Sequence, residues 1–110
     1  MTTRQKLPLL ILLGPTAAGK TGLSLRLAEE LGTNIISGDS MLLYRGFDIG
    51  SAKPTKEELM RVRHHLVDVL DADESFSVTE FVTRVSELVQ THEREGRLPF
   101  IVGGTGLYIK

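Results

Sequence analysis

Apolar and polar positions along this chain change period several times, and each change predicts a boundary between elements. Leu9-Leu10-Ile11-Leu12-Leu13 is apolar throughout, the pattern of a strand buried on both faces. From Thr21 the period lengthens, and Leu23, Leu27, Ala28 and Leu31 recur at helical spacing until Gly32 stops the run. Asn34-Ile35-Ile36-Ser37 reads as a short second strand, and a long polar loop is predicted from Gly38 to Pro54. Thr55-x-x-Glu58 has the form of a capping box that opens a short helix through about Arg61. His65 to Leu70 reads as a further strand. Ser77-x-x-Glu80 opens a second capping box, followed by Val78, Phe81, Val82, Val85, Leu88 and Val89 on one face of a helix that ends near Gly96. That stripe is expected to pack into a core. Leu98 to Val102 is the last predicted strand, and Gly103-Gly104-Thr105-Gly106 is a turn in which the chain bends sharply. Strand-like and helix-like segments alternate, which predicts an α/β fold with a parallel sheet flanked by helices.

The first strand-to-helix junction carries chemistry. Gly14-Pro15-Thr16-Ala17-Ala18-Gly19-Lys20-Thr21 matches the phosphate-binding loop G-x-x-x-x-G-K-[ST] at every required position. A glycine-rich bend turns successive backbone N–H groups toward phosphate oxygens, and the positive end of the following helix adds to that field. Lys20 is expected to reach the terminal phosphate, and the Thr21 hydroxyl to ligate Mg²⁺. The chain therefore binds a diphosphate or triphosphate on a P-loop NTPase-like fold.

Composition narrows the class without changing it. The 110 residues are 41% hydrophobic and 25% charged, with a net charge of −1, an ordinary balance for a single globular domain. That charge carries no electrostatic footprint for nucleic acid in this piece. There are no cysteines, so disulfides and thiolate metal sites are excluded. The N-terminal apolar run is too short to span a bilayer and ends in the loop glycine rather than a cleavage site, so a cytoplasmic location is expected. P-loop sheets are usually longer than this chain allows, and the fold is expected to be incomplete, with an apolar strand edge left uncovered.

Asp39 is the second candidate. It follows an apolar strand directly, which in a parallel sheet sets it at the carboxyl edge where ligands bind. A carboxylate there suits a general base or an indirect Mg²⁺ ligand; the competing reading is a turn-capping aspartate. The strand Leu98 to Val102 ends in Gly103-Gly104 rather than the Mg²⁺-holding Asp of motor-type NTPases. That disfavours a GTPase or motor ATPase and leaves small-molecule kinases and other group-transfer enzymes. His64 and His65, as strand neighbours, face opposite ways, and His92 is expected on the outer face of its helix. Structural roles are expected for all three. Tyr44, Arg45 and Lys53 read equally well as phosphate or base contacts and as a solvated loop.

Several blocks together resemble one family, the tRNA dimethylallyltransferases (tRNA isopentenyltransferases). They are the phosphate-binding loop, Ile35-Ile36-Ser37-Gly38-Asp39-Ser40-Met41, Tyr44-Arg45-Gly46-Phe47-Asp48-Ile49-Gly50-Ser51-Ala52-Lys53-Pro54, His64-His65-Leu66-Val67-Asp68, and Pro99-Phe100-Ile101-Val102-Gly103-Gly104-Thr105-Gly106-Leu107-Tyr108. The resemblance covers nearly the whole chain, and identifies residues 1–110 with the N-terminal part of the transferase domain. It implies transfer of a dimethylallyl group from dimethylallyl diphosphate to N6 of the adenine 3′ of the anticodon in tRNA, by a protein that is monomeric when full length. By the same resemblance Asp39 is the general base. Lys20 and the loop amides of Gly14 to Thr21 neutralise the leaving diphosphate, Thr16 supports it, and Thr21 holds Mg²⁺. Asp39, Ser40, Met41, Leu42 and Thr105 fall where the family touches the anticodon stem-loop. Leu42 stands where the family usually has Gln, leaving only backbone or apolar surface for contact, and Ser51 replaces the usual Thr. The rival readings are an adenylate isopentenyltransferase acting on a free nucleotide, a P-loop kinase, and a diphosphate-binding module without turnover.

Overall fold

The computed structural model describes residues 9–13, 20–45, 54–71 and 73–103. Four parallel strands, β1 (Leu10–Leu13), β2 (Ile35–Ser37), β3 (His64–His65) and β4 (Phe100–Gly103), lie in the order β1-β4-β2-β3. Helix α1 (Lys20–Leu31) connects β1 to β2, α2 (Lys56–Arg61) precedes β3, and α3 (Val78–Arg94) returns the chain to β4. The last strand thus inserts between the first two. Its register pairs Leu13 with Gly103 on one side and Ser37 with Val102 on the other.

Consecutive residues of a strand face opposite sides, and the core divides accordingly. Ile36 and Ile101 pack with Leu43, Leu66, Leu70, Phe81 and Val85 on the α3 side. Ile35 and Phe100 pack with Leu25, Ala28 and Val62 on the α1 side. Burial on both faces explains why β2 and β4 are apolar runs rather than alternating ones.

Local signals set the helix ends. Both capping boxes form: Glu58 N–H donates to Thr55 Oγ1 at 3.2 Å and Thr55 N–H to Glu58 Oε1 at 2.7 Å, with the same pair of bonds between Ser77 and Glu80. Gly32 (φ +64°) and Gly96 (φ +75°) turn the chain out of α1 and α3 in the left-handed region.

Four expectations are corrected. The first strand is not buried on both faces: Leu10 and Leu12 pack toward α1, whereas Ile11 and Leu13 are 40% and 54% exposed. Among the described residues it pairs on one side only, with β4, and no helix covers its second face. The third strand is only His64–His65, because Leu66 (φ +67°) and Asp68 (φ +56°) leave extended geometry. Within the span expected to be a polar loop, Ser40–Leu43 form a 3-10 helix, and Tyr44 makes a parallel bridge to Leu70. On α3, Phe81 and Val85 are buried as expected, but Val78, at the first turn, is 57% exposed.

Candidate functional site

All four strands run the same way, so their carboxyl ends share one edge of the sheet. Leu13, Gly103 and Ser37 end side by side there, and the Gly38 N–H donates to the Val102 carbonyl at 2.8 Å. Two interstrand spacings, roughly 10 Å, separate β1 from β2 across β4.

Asp39, half-buried, is held at this edge by its backbone. Its N–H donates to Ser37 Oγ at 3.2 Å, and its carbonyl accepts from the Leu42 N–H at 3.1 Å, which starts the 3-10 helix. Ser37 itself is buried, so a strand side chain fixes the residue that follows. Its hydroxyl is a positioning group that the strand pattern alone did not single out; a polar residue closing an apolar strand was the available signal. The backbone of Asp39 does cap a turn.

The strip after Asp39 is laced to the segment after β3. Asp68 N–H donates to the Leu42 carbonyl at 2.9 Å, Val69 and Leu70 N–H groups to the Leu43 carbonyl at 2.8 Å, and Arg45 N–H to the Leu70 carbonyl at 2.7 Å. The exposed Arg45–Asp71 pair, at 2.8 Å, closes the same seam. With its N–H and carbonyl both used internally, Leu42 is left with its part-exposed apolar side chain to offer a ligand. The Leu66 and Asp68 dihedrals, sparsely populated for residues other than glycine, bring this segment back against the strip.

Lys20 and Thr21 occupy the first turn of α1, which begins seven residues beyond Leu13. Gly14, Pro15, Thr16, Ala17, Ala18 and Gly19 lie outside the described residues, as do Lys53 and Thr105. Ser40 and Met41 belong to the 3-10 helix. Asp39, at this edge, is a residue type whose oxygen donors suit Mg²⁺.

The histidines form a separate cluster. His92, expected to face outward, is 2% exposed. Its Nδ1–H donates to the Leu88 carbonyl at 2.7 Å, and its ring meets that of His65 edge-on at 5.3 Å. The Asn34 amide Nδ2 lies 3.5 Å from His65 Nε2 and 3.4 Å from His92 Nε2, so one NH₂ group serves both rings. This network joins β2, β3 and α3. Burial pushes the His65 imidazole down to about 4, with Arg63, His92, Arg97 and His64 adding repulsion. Burial also lowers His64, whose Nδ1 is 2.8 Å from the Val62 carbonyl. Among the described residues, no three His, Cys, Asp or Glu side chains converge on a metal position.

Acid sensitivity follows from this cluster. As pH falls through 6.5 the unfolded chain takes up a proton at His65, whereas the folded chain does not until about 4. Stability is therefore full above 6.5 and is lost between 6.5 and 4, by about 1–2 kcal/mol after allowance for the part-exposure of the ring. Urea denaturation at pH 7 and pH 5 should show a smaller difference in His65→Gln than in the parent. An equal difference in both would remove His65 as the acid-sensitive group.

Comparison with known proteins adds a lineage to this geometry. The sequence profile of the IPP transferase family matches residues 42–110. A tRNA dimethylallyltransferase of Symbiobacterium thermophilum is 57% identical over 105 residues, which are 96% of this chain and 33% of that protein. The tRNA dimethylallyltransferase of Bacillus subtilis is 52% identical over the same length. Among solved structures, the full-length tRNA isopentenylpyrophosphate transferase of Bacillus halodurans superposes with a TM-score of 0.83 at 53% identity, over 94% of this chain and 34% of its own. A eukaryotic dimethylallyltransferase acting on tRNA gives 0.81 at 30% identity, over 91% and 25%. The chain spans about a third of the length of the curated relatives it matches. Among the described residues, no helix is long and apolar enough to cross a membrane.

Proposed function

We propose that this chain, which belongs to the IPP transferase family, supplies the diphosphate-binding and base-bearing part of a tRNA dimethylallyltransferase. Residues 1–110 are then the N-terminal part of a P-loop transferase domain. The reaction moves a dimethylallyl group from dimethylallyl diphosphate to N6 of the adenine 3′ of the anticodon. The carrying observation is that β1, which leads to α1, and β2, which leads to Asp39, lie on either side of β4 in one parallel sheet. The names of the relatives support the substrate pair.

In this reading the C1–O bond of the allylic diphosphate breaks and its electron pair leaves with the diphosphate. The N6 lone pair forms the new C–N bond, and the N6 proton passes to the Asp39 carboxylate. The amides of Gly14 to Thr21 and the Lys20 ammonium carry the leaving charge, with Thr16 beside them. Thr21 would hold Mg²⁺, which screens the diphosphate when bound. Ser37, through its bond to the Asp39 backbone, keeps the carboxylate at the edge. Asp39, Ser40, Met41, Leu42 and Thr105 would meet the RNA, Leu42 by its apolar side chain. The working protein is proposed to be a monomer in the cytoplasm.

Lys20→Ala in the intact protein is expected to weaken dimethylallyl diphosphate binding about tenfold or more, since a charge-assisted phosphate contact contributes roughly 1.5–3 kcal/mol. Unchanged affinity by calorimetry would take Lys20 out of the site. The reaction itself is tested with labelled dimethylallyl diphosphate and labelled ATP, offered with an anticodon stem-loop or with free adenine nucleotide. Label from the allylic donor appearing in RNA supports the proposal. Transfer only to the free nucleotide, or only of phosphate from ATP, overturns it.

A further inference from the structure

A cleft of about 400 Å³ lies between edge strand β3 and helix α3, on the far side of the sheet from β1. Arg63, His65 and Leu66 form one wall, and Arg84, Glu87 and Thr91, at helical spacing on α3, form the other. The cations of this cleft differ from three other arginines of the chain. Arg45, Arg61 and Arg97 each pair with a carboxylate, at 2.8, 2.7 and 3.5 Å. Among the described residues, neither Arg63 nor Arg84 comes within ion-pair distance of one. The Arg84 guanidinium lies over the Phe76 ring, 6.0 Å from its centre, which orients the group while its N–H edges stay available. Arg63 and Arg97 both repel a proton from the His65 ring, so the field at the β3 wall is positive.

One segment is shared between the cleft and the strip that follows Asp39. Leu66 and Val69 line the cleft, and the segment they belong to is hydrogen-bonded to Leu42, Leu43 and Arg45. Two guanidinium forks suit phosphate oxygens, which they can bond in pairs.

We propose that the cleft between β3 and α3 is a phosphodiester-binding groove that holds the backbone of the RNA substrate, with Arg63 and Arg84 as its cationic contacts and Glu87 as an opposing carboxylate. The occupant rests on the function proposed above; the charge of the cleft does not.

The test is tRNA binding by the intact protein across a salt series, measured by fluorescence anisotropy. The Arg63→Gln/Arg84→Gln double variant is expected to lose about tenfold in affinity at low salt, with a log–log salt slope shallower by about 1–2. Glu87→Gln is expected to bind a few-fold more tightly, because it removes a negative charge facing the phosphates. Arg26→Gln, an exposed arginine on α1, should stay within twofold of the parent, and dimethylallyl diphosphate affinity should be the same in all. An unchanged slope in the double variant overturns the groove, as does weaker binding by Glu87→Gln or an equal loss in Arg26→Gln. Polyglutamate binding that the double variant abolishes while tRNA affinity stays intact would overturn RNA as the occupant. A parent that binds tRNA through these arginines yet transfers nothing to it defeats the proposed reaction and leaves the groove standing.

Discussion

Asp39→Asn in the intact protein is expected to lower the single-turnover rate of transfer about 10²–10⁴-fold, the usual range for loss of a positioned general base. The adenine amino group is a poor nucleophile until its proton can leave, so the proton acceptor bears on the chemical step. Apparent affinities for tRNA and dimethylallyl diphosphate should change far less than kcat, because the amide keeps the shape and much of the polarity of the carboxylate. The backbone bonds of Asp39 to Ser37 and Leu42 survive the substitution, so the turn it caps is retained. A purely structural Asp39 would lower the melting temperature and leave kcat intact, and a metal-orienting one would alter the Mg²⁺ dependence. A rate within a few-fold of the parent at saturating tRNA and Mg²⁺ would end the general-base assignment.

Phe81→Ala is expected to lower stability by about 3–5 kcal/mol, the range for truncating a fully buried aromatic side chain. Phe81 is 2% exposed and belongs to the cluster of Ile36, Leu43, Leu66, Leu70, Val85 and Ile101, which joins three elements to the sheet. The cavity opens next to Leu43, at the end of the 3-10 helix that begins after Asp39, so local collapse would disturb the site as well as the core. Met60→Ala is the contrast. At 86% exposed, it should change stability by no more than about 0.5 kcal/mol. Urea denaturation of both variants checks the pair, and a loss under about 1 kcal/mol for Phe81→Ala would show that the α3 face is not a packed core.

Local signals were sufficient where the physics is local. A capping box needs only a hydroxyl and a carboxylate three residues apart, so the starts of α2 and α3 were legible at Thr55 and Ser77. Gly32 and Gly96 marked helix ends because a left-handed residue there needs no partner elsewhere in the chain. The position of Asp39 followed from an apolar strand ending just before it. The parallel sheet followed from the alternation of element types.

Tertiary structure decided whatever depends on which element lies beside which. Nothing in Leu9 to Leu13 tells which face a helix will cover; the packing of α1 against Leu10 and Leu12 does, and among the described residues it leaves Ile11 and Leu13 exposed. Nor does the pattern around His92 reveal that Asn34, 58 residues earlier, reaches its ring, so a polar side chain on a helix read as an outward one. The run from Leu66 to Leu70 looks extended by composition, but its carbonyls and amides bond to residues 42–45, and that pairing demands two left-handed dihedrals. The cleft that joins Arg63 to Arg84 spans 21 positions of sequence and exists only because α3 packs beside β3. Residue type and short spacing determined the chemistry available to this protein, and the packing of distant segments decided which of those groups meet, because contacts between elements depend on the strand order and helix placement that no short window of sequence contains.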